Sequence, residues 1–251
     1  MLKHILAILP KSFGSYYEPF LGSGALFFAL KPEISFLADN NSELINCYIQ
    51  VRDNPEKVIS VLNDLKNTKV DYYKIRENIS TNKIFMAARL IYLTTLSFNG
   101  IYRTNLKGKF NVPYGHKLPL NPCDPSRIRK ASAALSLAKI NCQDFDKSLS
   151  NAKEGDLIYF DPPYTVAQGN NGFLKYNEVI FSWVDQLRLA TVANKLSNRG
   201  CKVIVSNAYH SSICNLYKEF NMLVIERASV IAASKSYRRQ INEVLFYSRG
   251  Y

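Results

Sequence analysis

Short apolar runs alternate with longer amphipathic segments at both ends of the chain. Apolar runs bounded by turn residues predict strands, and apolar positions spaced three and four residues apart predict helices. We predict helices at residues 25–30, 43–51 and 183–198, the second capped from Ser42 and the third ended by Gly200. The predicted strands are residues 16–20, 34–38, 139–142, 157–160, 201–205, 222–225 and 241–247.

The middle of the chain has a different pattern. Residues 55–97 have helical periodicity, whereas residues 98–123 are rich in turn residues and basic groups. Asp124-Pro125 then predicts a new helix, with Asp as N-cap and Pro at the first helical position.

Strands that alternate with helices predict an α/β fold, with a mostly parallel sheet covered by helices on both faces. We expect residues 1–54 and 139–251 to form this domain and residues 55–138 to form an inserted helical and loop-rich lobe.

Composition narrows the choice of partner and compartment. The 251 residues include 32 Lys plus Arg and 20 Asp plus Glu, and the net charge of +12 favours nucleic acid over membrane. The alternative is a basic surface that maintains solubility. Five scattered cysteines, without a Cys-x-x-Cys pair, argue against disulfides and a zinc site and fit a reducing cytosol. Since no run could span a bilayer, we expect a soluble, cytoplasmic protein. The cysteine pattern leads us to expect no metal.

The tetrapeptide Asp161-Pro-Pro-Tyr164 directly follows the predicted strand at 157–160. Ligands of α/β proteins bind at the carboxyl ends of strands. Asp161 and a backbone carbonyl held by two prolines can accept hydrogen bonds from an amino group on a flat ring. Tyr164 offers a face on which the ring can stack. This motif therefore predicts a site for methyl transfer to such an amine.

A glycine turn, Gly22-Ser-Gly24, follows the first predicted strand, and Asp39 lies 17 residues after Gly22. This is close to the spacing at which a dinucleotide-binding fold places its ribose-binding acid. The alternatives are an ordinary strand-to-helix turn and a helix-capping Asp. No phosphate-binding lysine is present, so a nucleoside without a pyrophosphate, such as S-adenosylmethionine, fits better.

A third predicted strand ends at Gln143-Asp144-Phe145. Asp144 could accept a hydrogen bond from an adenine amino group while Phe145 packs on the ring. The alternative is a helix cap followed by a core aromatic.

Five motifs occur in a fixed order: Glu18 to Phe28, Asp39, Ser97 to Asn105, Phe110 to Gly115, and Asp161 to Tyr164. With this order the chain resembles the Dam-type DNA adenine-N6 methyltransferases of the alpha group, or D12 class, over nearly its whole length. The resemblance implies a Rossmann-like S-adenosylmethionine-dependent sheet with an inserted target-recognition lobe, and double-stranded DNA as partner.

The resemblance also implies a mechanism in which the target adenine is flipped out of the duplex. Asp161 and the Pro162 carbonyl would accept its amino hydrogens, and Tyr164 would stack on the base. Cofactor-binding residues are expected at Glu18, Phe20, Gly22, Gly24, Asp39, Asn40, Asp144, Phe145 and Asp161.

In the middle lobe the resemblance implies GATC as the recognition sequence. Arg103 would contact guanine, Phe98 would wedge into the base stack, and Asn99 would contact a neighbouring base. The alternatives are a phosphate contact, a core aromatic and a turn. The full set of expected DNA-binding residues is Phe98, Asn99, Ile101, Arg103, Asn105, Lys107, Pro113 and Lys117. Further basic residues at Arg127, Arg129, Lys130, Lys235, Arg238 and Arg239 are expected to contact phosphates.

Members of the family usually carry a Gly-Gly-Lys segment about a dozen residues before the Leu-Pro that corresponds to Leu9-Pro10, which here falls before Met1. Three explanations stay open: an upstream natural start, a protein that works without the segment, or an impaired enzyme. Two other functions also stay open, an RNA adenine methyltransferase and a catalytically weak DNA-binding protein. We expect a monomer, bound to the nucleoid through its DNA contacts. A role in repair marking, restriction-modification or phage defence is left open.

Overall fold

A computed structural model describes residues 1–105, 108–165, 181–228 and 240–250. These residues form two compact units, one made of residues 1–40 and 143–251 and the other of residues 41–142. From the sequence we expect the DNA-recognition lobe to comprise residues 55–138. That boundary concerns the function of the lobe and stays a prediction.

The fold is mixed α/β with a mostly parallel sheet, as the sequence predicts. The described strands of the first unit lie side by side in the order β2-β1-β4-β5-β7-β6. Strands β2, β1, β4 and β5 are parallel neighbours, and β7 runs antiparallel between β5 and β6. Their bounds are β1 Tyr16–Glu18, β2 Ser35–Asp39, β4 Leu157–Phe160, β5 Lys202–Ala208, β6 Asn221–Ala228 and β7 Gln240–Tyr247.

The central strands are buried because their sequences are almost continuously apolar. All four residues of β4 are buried, as expected for a strand covered on both faces. The first unit also contains α1 Leu2–Ala7, α2 Ala25–Leu30, α8 Trp183–Asn198 and α9 Ser211–Cys214.

Helix α8 begins and ends at the predicted residues. Ser182 accepts a hydrogen bond from the Asp185 amide, and the Asp185 side chain accepts from the Ser182 amide, which makes a capping box. Gly200, at a φ of +87°, follows the end of the helix. Helix α2 matches its predicted bounds as well.

The second unit is mainly helical, as the sequence predicts for its middle part. Asp124 caps its last helix by accepting from the Arg127 amide. The unit ends with β3 Lys139–Cys142, at the predicted position. Its helices are α3 Ser42–Asp53, α4 Pro55–Asn63, α5 Lys69–Glu77, α6 Lys83–Leu96 and α7 Pro125–Leu135.

The predicted cap of α3 is wrong by one residue. Asn41, not Ser42, is the N-cap, and its side-chain Oδ1 accepts from the amides of Glu43 and Leu44 at 3.0 and 3.1 Å. Both residue types cap helices well. The choice depends on where the backbone is still extended, which is at Asn41 with φ −81° and ψ 101°.

Arg89 is the largest fully buried side chain of the second unit. Its guanidinium donates to the Glu43 carboxylate at 2.7 Å and to the backbone carbonyls of Ile75 and Arg76. One cation therefore joins α3 and α6 to the end of α5. Within the described ranges, no helix is long and apolar enough to cross a bilayer.

We predict that Arg89→Leu lowers the free energy of unfolding by about 3 kcal/mol. The substitution leaves Glu43 and two carbonyls without their donor. Arg129→Leu is the control, because the Arg129–Glu56 pair is more than half exposed. Its loss should cost much less, because exposed ion pairs contribute little to stability. Denaturant titration measures both values, and equal losses would contradict the structural role of Arg89.

Candidate functional site

A cavity of about 490 Å³ lies at the carboxyl ends of the parallel strands of the first unit. Asp39 ends β2, and Asp161 directly follows β4. Since β1 pairs in parallel with both of these strands, the three ends meet at one edge of the sheet. The lining residues are Pro19, Phe20, Gly22, Asp39, Asn40, Phe145, Asp161, Pro162, Pro163, Tyr164 and Phe181.

The turn after β1 brings its backbone to Asp39. Gly22 has a φ of +45°, a conformation that glycine adopts without steric cost. Its amide donates to Asp39 Oδ2 at 3.1 Å. The cavity therefore has a carboxylate held beside a backbone that lacks side-chain bulk, an arrangement suited to the hydroxyl groups of a sugar.

Three phenylalanines line one side of the cavity. The Phe20 ring stacks on the Phe145 ring at 5.3 Å between centroids and meets the Phe181 ring edge-on at 5.5 Å. Phe145 and Phe181 are both buried. These rings provide an apolar surface against which a planar heterocycle can pack.

Asp161 is exposed to the cavity, and protein atoms also crowd around its carboxylate. The Ser206 hydroxyl donates to Asp161 Oδ1 at 2.5 Å. Burial raises the pKa of Asp161 because it removes water from the charged form, and the nearby Glu243 adds to this effect. The Ser206 hydrogen bond acts in the opposite direction and favours the ionised form.

Glu18 ends β1 and is buried, rather than being one of the lining residues. The Tyr16 hydroxyl donates to Glu18 Oε2 at 2.8 Å. Burial raises the pKa of Glu18 to about 8, which keeps this acid largely protonated at neutral pH. Its expected role in cofactor binding stays a prediction.

Asp144 is held by Arg188 of α8 through two hydrogen bonds of 2.7 and 2.9 Å. This bidentate pair lowers the pKa of Asp144 to about 2. The Arg188 guanidinium also lies 4.2 Å from the centroid of the Phe145 ring. Asp144 therefore helps to position Phe145. Asp144 itself is not among the residues that line the cavity. Gly24, which is the N-cap of α2, does not line the cavity either.

A buried amide pair supports the loop that contains Pro163. The Gln186 side chain donates to the Pro163 carbonyl at 3.3 Å and accepts from the Asn207 side chain at 3.1 Å. Gln186 and Asn207 are fully buried. The loop after β4 is therefore connected to both α8 and β5.

Sequence reasoning missed Ser206, Gln186 and Asn207, along with the lining residues Pro19, Pro163 and Phe181. Two signals were available. Polar residues follow the apolar run at the end of β5, and Gln186 lies three residues before Leu189, on the apolar face of α8.

The residues expected to bind DNA lie in the second unit, on two segments that run antiparallel to each other. Isolated bridges join Ser97 to Tyr114 and Thr104 to Phe110. Between them, the Phe98 amide donates to the Pro113 carbonyl at 2.9 Å. Asn99, at a φ of +54°, turns the chain next to Phe98.

Several of these side chains are on the surface. Phe98 is 54% exposed and Ile101 40% exposed, and Pro113 and Asn105 are exposed too. Arg103 is exposed, and its Nε donates to Asn111 Oδ1 at 2.8 Å. An exposed Phe98 is not the core aromatic that was the alternative reading.

Two of the basic residues expected to contact DNA have hydrogen bonds within the second unit, and four lie outside the described residues. Lys117 Nζ donates to the Thr95 carbonyl at 2.8 Å, near the end of α6. Arg129 makes two hydrogen bonds of 2.7 Å with Glu56. The residues outside the described ranges are Lys107, Lys235, Arg238 and Arg239. The parts of the chain that are described contain no group of three or more His, Cys, Asp or Glu side chains able to hold a metal ion.

Comparison with known proteins gives a consistent family. Residues 1–231 match the model of the D12 class N6 adenine-specific DNA methyltransferases. The chain is 37% identical to type II methyltransferase M1.LlaDCHI of Lactococcus lactis subsp. cremoris, over 100% of this chain and 92% of that protein. It is 35% identical to the retron Ec67 DNA adenine methylase of Escherichia coli, over 92% of this chain and 81% of that protein. Identity to the DNA adenine methylase of E. coli K12 is 29%, over 98% and 90% of the two chains.

We predict that Gln186→Leu lowers the free energy of unfolding by about 1–3 kcal/mol, because it leaves the Pro163 carbonyl and the Asn207 amide without a partner. Lys195→Leu, on the exposed face of the same helix, is the control. A surface substitution of this kind should change stability by no more than about 0.5 kcal/mol. Thermal or denaturant unfolding of the two variants measures the difference, and an equal effect would refute the role of Gln186.

Proposed function

The chain belongs to the D12 class N6 adenine-specific DNA methyltransferases, and on that premise we propose how and where it acts. It transfers the methyl group of S-adenosylmethionine to the N6 amino group of an adenine that has been flipped out of duplex DNA. The recognition sequence is GATC. The observation that carries the proposal is the position of Asp161, directly after β4 in the cavity that Asp39 also lines.

The cavity residues fit the cofactor. Asp39 would accept hydrogen bonds from its ribose hydroxyls, and the Gly22 backbone would allow close approach. The rings of Phe20, Phe145 and Phe181 would pack around its adenine. When bound, the cofactor supplies a methyl group on a positively charged sulfur.

Asp161 and Pro162 would hold the acceptor amine of the flipped base. The Asp161 carboxylate and the Pro162 carbonyl would each accept one amino hydrogen, which directs the nitrogen lone pair towards the methyl group. Tyr164 would stack on the base. The amine cannot be reached inside a duplex, so the base must leave the stack. Holding the two reactants in line supplies a large part of the rate acceleration.

The GATC assignment rests on the resemblance of residues 97–115, in the second unit, to the recognition segment of the family. Arg103 is the best candidate for a bidentate contact to O6 and N7 of guanine, the commonest specific contact in the major groove. The exposed ring of Phe98 would fill the gap left by the flipped base. Asn99, Ile101, Asn105 and Pro113 would complete the contacts to base edges, and Lys107 and Lys117 those to the backbone.

The remaining parts of the proposal concern the setting of the enzyme. The net charge of +12 suits a duplex DNA partner. We propose a monomer that works in the cytoplasm and associates with the nucleoid. Similarity to a type II methyltransferase over the whole chain favours a role in restriction-modification.

We predict that Asp161→Ala reduces methyl transfer by at least ~100-fold, the usual effect of removing one group that stabilises charge in the transition state. Binding of S-adenosylmethionine, measured by calorimetry, should remain. Asp64→Ala, at an exposed position in the second unit, should retain full activity. Strong residual turnover in Asp161→Ala would refute the assignment. Wild-type protein that binds DNA but no cofactor would instead indicate a DNA-binding relative.

A second prediction concerns recognition. With labelled S-adenosylmethionine and duplexes that contain or lack GATC, we expect label only on the GATC adenine. A single-stranded RNA of the same base sequence should receive no label. Arg103→Ala should reduce discrimination against the wrong base by about 1–3 kcal/mol. Lys109 is an exposed basic residue of the same segment that we expect to contact a phosphate. The control Lys109→Ala should therefore weaken binding to both duplexes equally. Label in the GATC-free duplex alone would contradict the proposed site.

A further inference from the structure

We propose that Ser206 is a positioning residue of this methyltransferase, whose hydroxyl holds Asp161 Oδ1 and so directs Oδ2 towards the acceptor amine. The inference rests on the proposed role of Asp161. Ser206 itself touches neither substrate nor cofactor.

The position of Ser206 follows from the pairing of β4 with β5. Phe160 is in register with Val205, so that Asp161 and Ser206 come next to each other at the ends of the two parallel strands. Ser206 is fully buried. On its other side, Ser206 is in register with Leu245 of β7, which fixes it in the middle of the sheet.

The hydrogen bonds around Ser206 have a defined direction. The Ser206 hydroxyl has two acceptors within reach, Asp161 Oδ1 at 2.5 Å and the Phe160 carbonyl at 3.3 Å, and the much shorter contact to the ionised carboxylate takes its single proton. Its oxygen lies 3.2 Å from the Tyr159 hydroxyl, which must then donate to it. The result is a chain of donors from Tyr159 through Ser206 to one oxygen of Asp161. Successive donors of this kind polarise and strengthen one another.

The catalytic geometry needs this second restraint. Pro162 restricts the backbone of Asp161, because a residue before proline is confined to extended conformations. It does not restrict the terminal torsion of the carboxylate, which has a broad rotational preference in Asp. The hydrogen bond from Ser206 limits that rotation, and thus complements the restraint that Pro162 places on the backbone.

The electrostatic surroundings make the contribution of Ser206 measurable. Among the described residues, the titratable groups coupled electrostatically to Asp161 are Glu18 and Tyr16 of β1, Tyr159 of β4 and Glu243 of β7. Each of these groups is neutral or anionic, so none of them carries a positive charge that would favour an ionised Asp161. Burial raises the pKa of Asp161, and the Ser206 hydrogen bond limits that rise.

Activity depends on pH because Asp161 must be ionised to accept a hydrogen bond from the amino group, so activity is lost as pH falls through the raised pKa of Asp161. Without the Ser206 hydroxyl that pKa rises further. The acidic limb of the kcat profile of Ser206→Ala must therefore lie at higher pH than that of the wild type.

The test compares Ser206→Ala with Ser206→Thr and Ser248→Ala. Ser248 is another buried serine next to β5, and its hydroxyl oxygen accepts a hydrogen bond from the Val203 amide at 2.8 Å. It is therefore a matched structural control. We expect Ser206→Ala to lower kcat by about 10- to 100-fold, the range for a small displacement of a reacting group. KM for duplex DNA and the Kd of S-adenosylmethionine should be unchanged. Ser206→Thr, which keeps the hydroxyl, should restore kcat and the pH profile, and Ser248→Ala should lower stability alone.

The proposal is overturned if kcat of Ser206→Ala is unchanged, if its acidic limb does not move, or if Ser248→Ala lowers kcat equally. Unfolding curves show whether Ser206→Ala is folded. If it is not, Ser206→Cys replaces it, because a thiol is only a weak donor and predicts the same changes. An active Asp161→Ala refutes the proposed acceptor site itself. An inactive Asp161→Ala beside a normal Ser206→Ala refutes only the positioning role.

Discussion

The parallel pairing of β2, β1 and β4 is the constraint on which the rest of the site depends. Parallel neighbours end at the same edge of a sheet, so three separate parts of the sequence deliver their polar residues to one cavity. The glycine turn follows β1, Asp39 ends β2 and Asp161 follows β4. No direct bond between Asp39 and Asp161 is needed, because the buried backbone ladders fix the strand ends. The apolar sequence of β4 keeps that frame rigid.

The same frame gives three acids very different surroundings. Glu18 is buried beside Tyr16 and has a pKa raised to about 8, whereas Arg188 lowers the pKa of Asp144 to about 2. Burial raises the pKa of Asp161, and the Ser206 hydrogen bond opposes that rise. A carboxylate that accepts a hydrogen bond from an amino group needs to be ionised and correctly oriented. Environment, and not residue type, therefore distinguishes the three acids from one another.

The sequence was sufficient for the local features. Apolar periodicity predicted helices 25–30 and 183–198 to the residue, and the motif at Asp161 was placed correctly at a strand end. What it could not predict depends on partners distant in the chain. The Asp144–Arg188 pair spans 44 residues and the Ser206–Asp161 bond 45. A motif shows that an acid is present but not which side chain will fold against it. The prediction of the N-cap of α3 was wrong for a local reason, since Asn41 and Ser42 are both good capping residues.

The central claim is that the target adenine leaves the duplex and enters the cavity beside Asp161. The most direct test uses the fluorescence of 2-aminopurine, which is quenched when the base is stacked. The analogue would replace the adenine of GATC, or an adenine outside the site as a control. Base flipping predicts a several-fold rise in fluorescence when the protein and cofactor bind the first duplex, and no rise with the second. Unchanged fluorescence of the first duplex at saturating protein would contradict it.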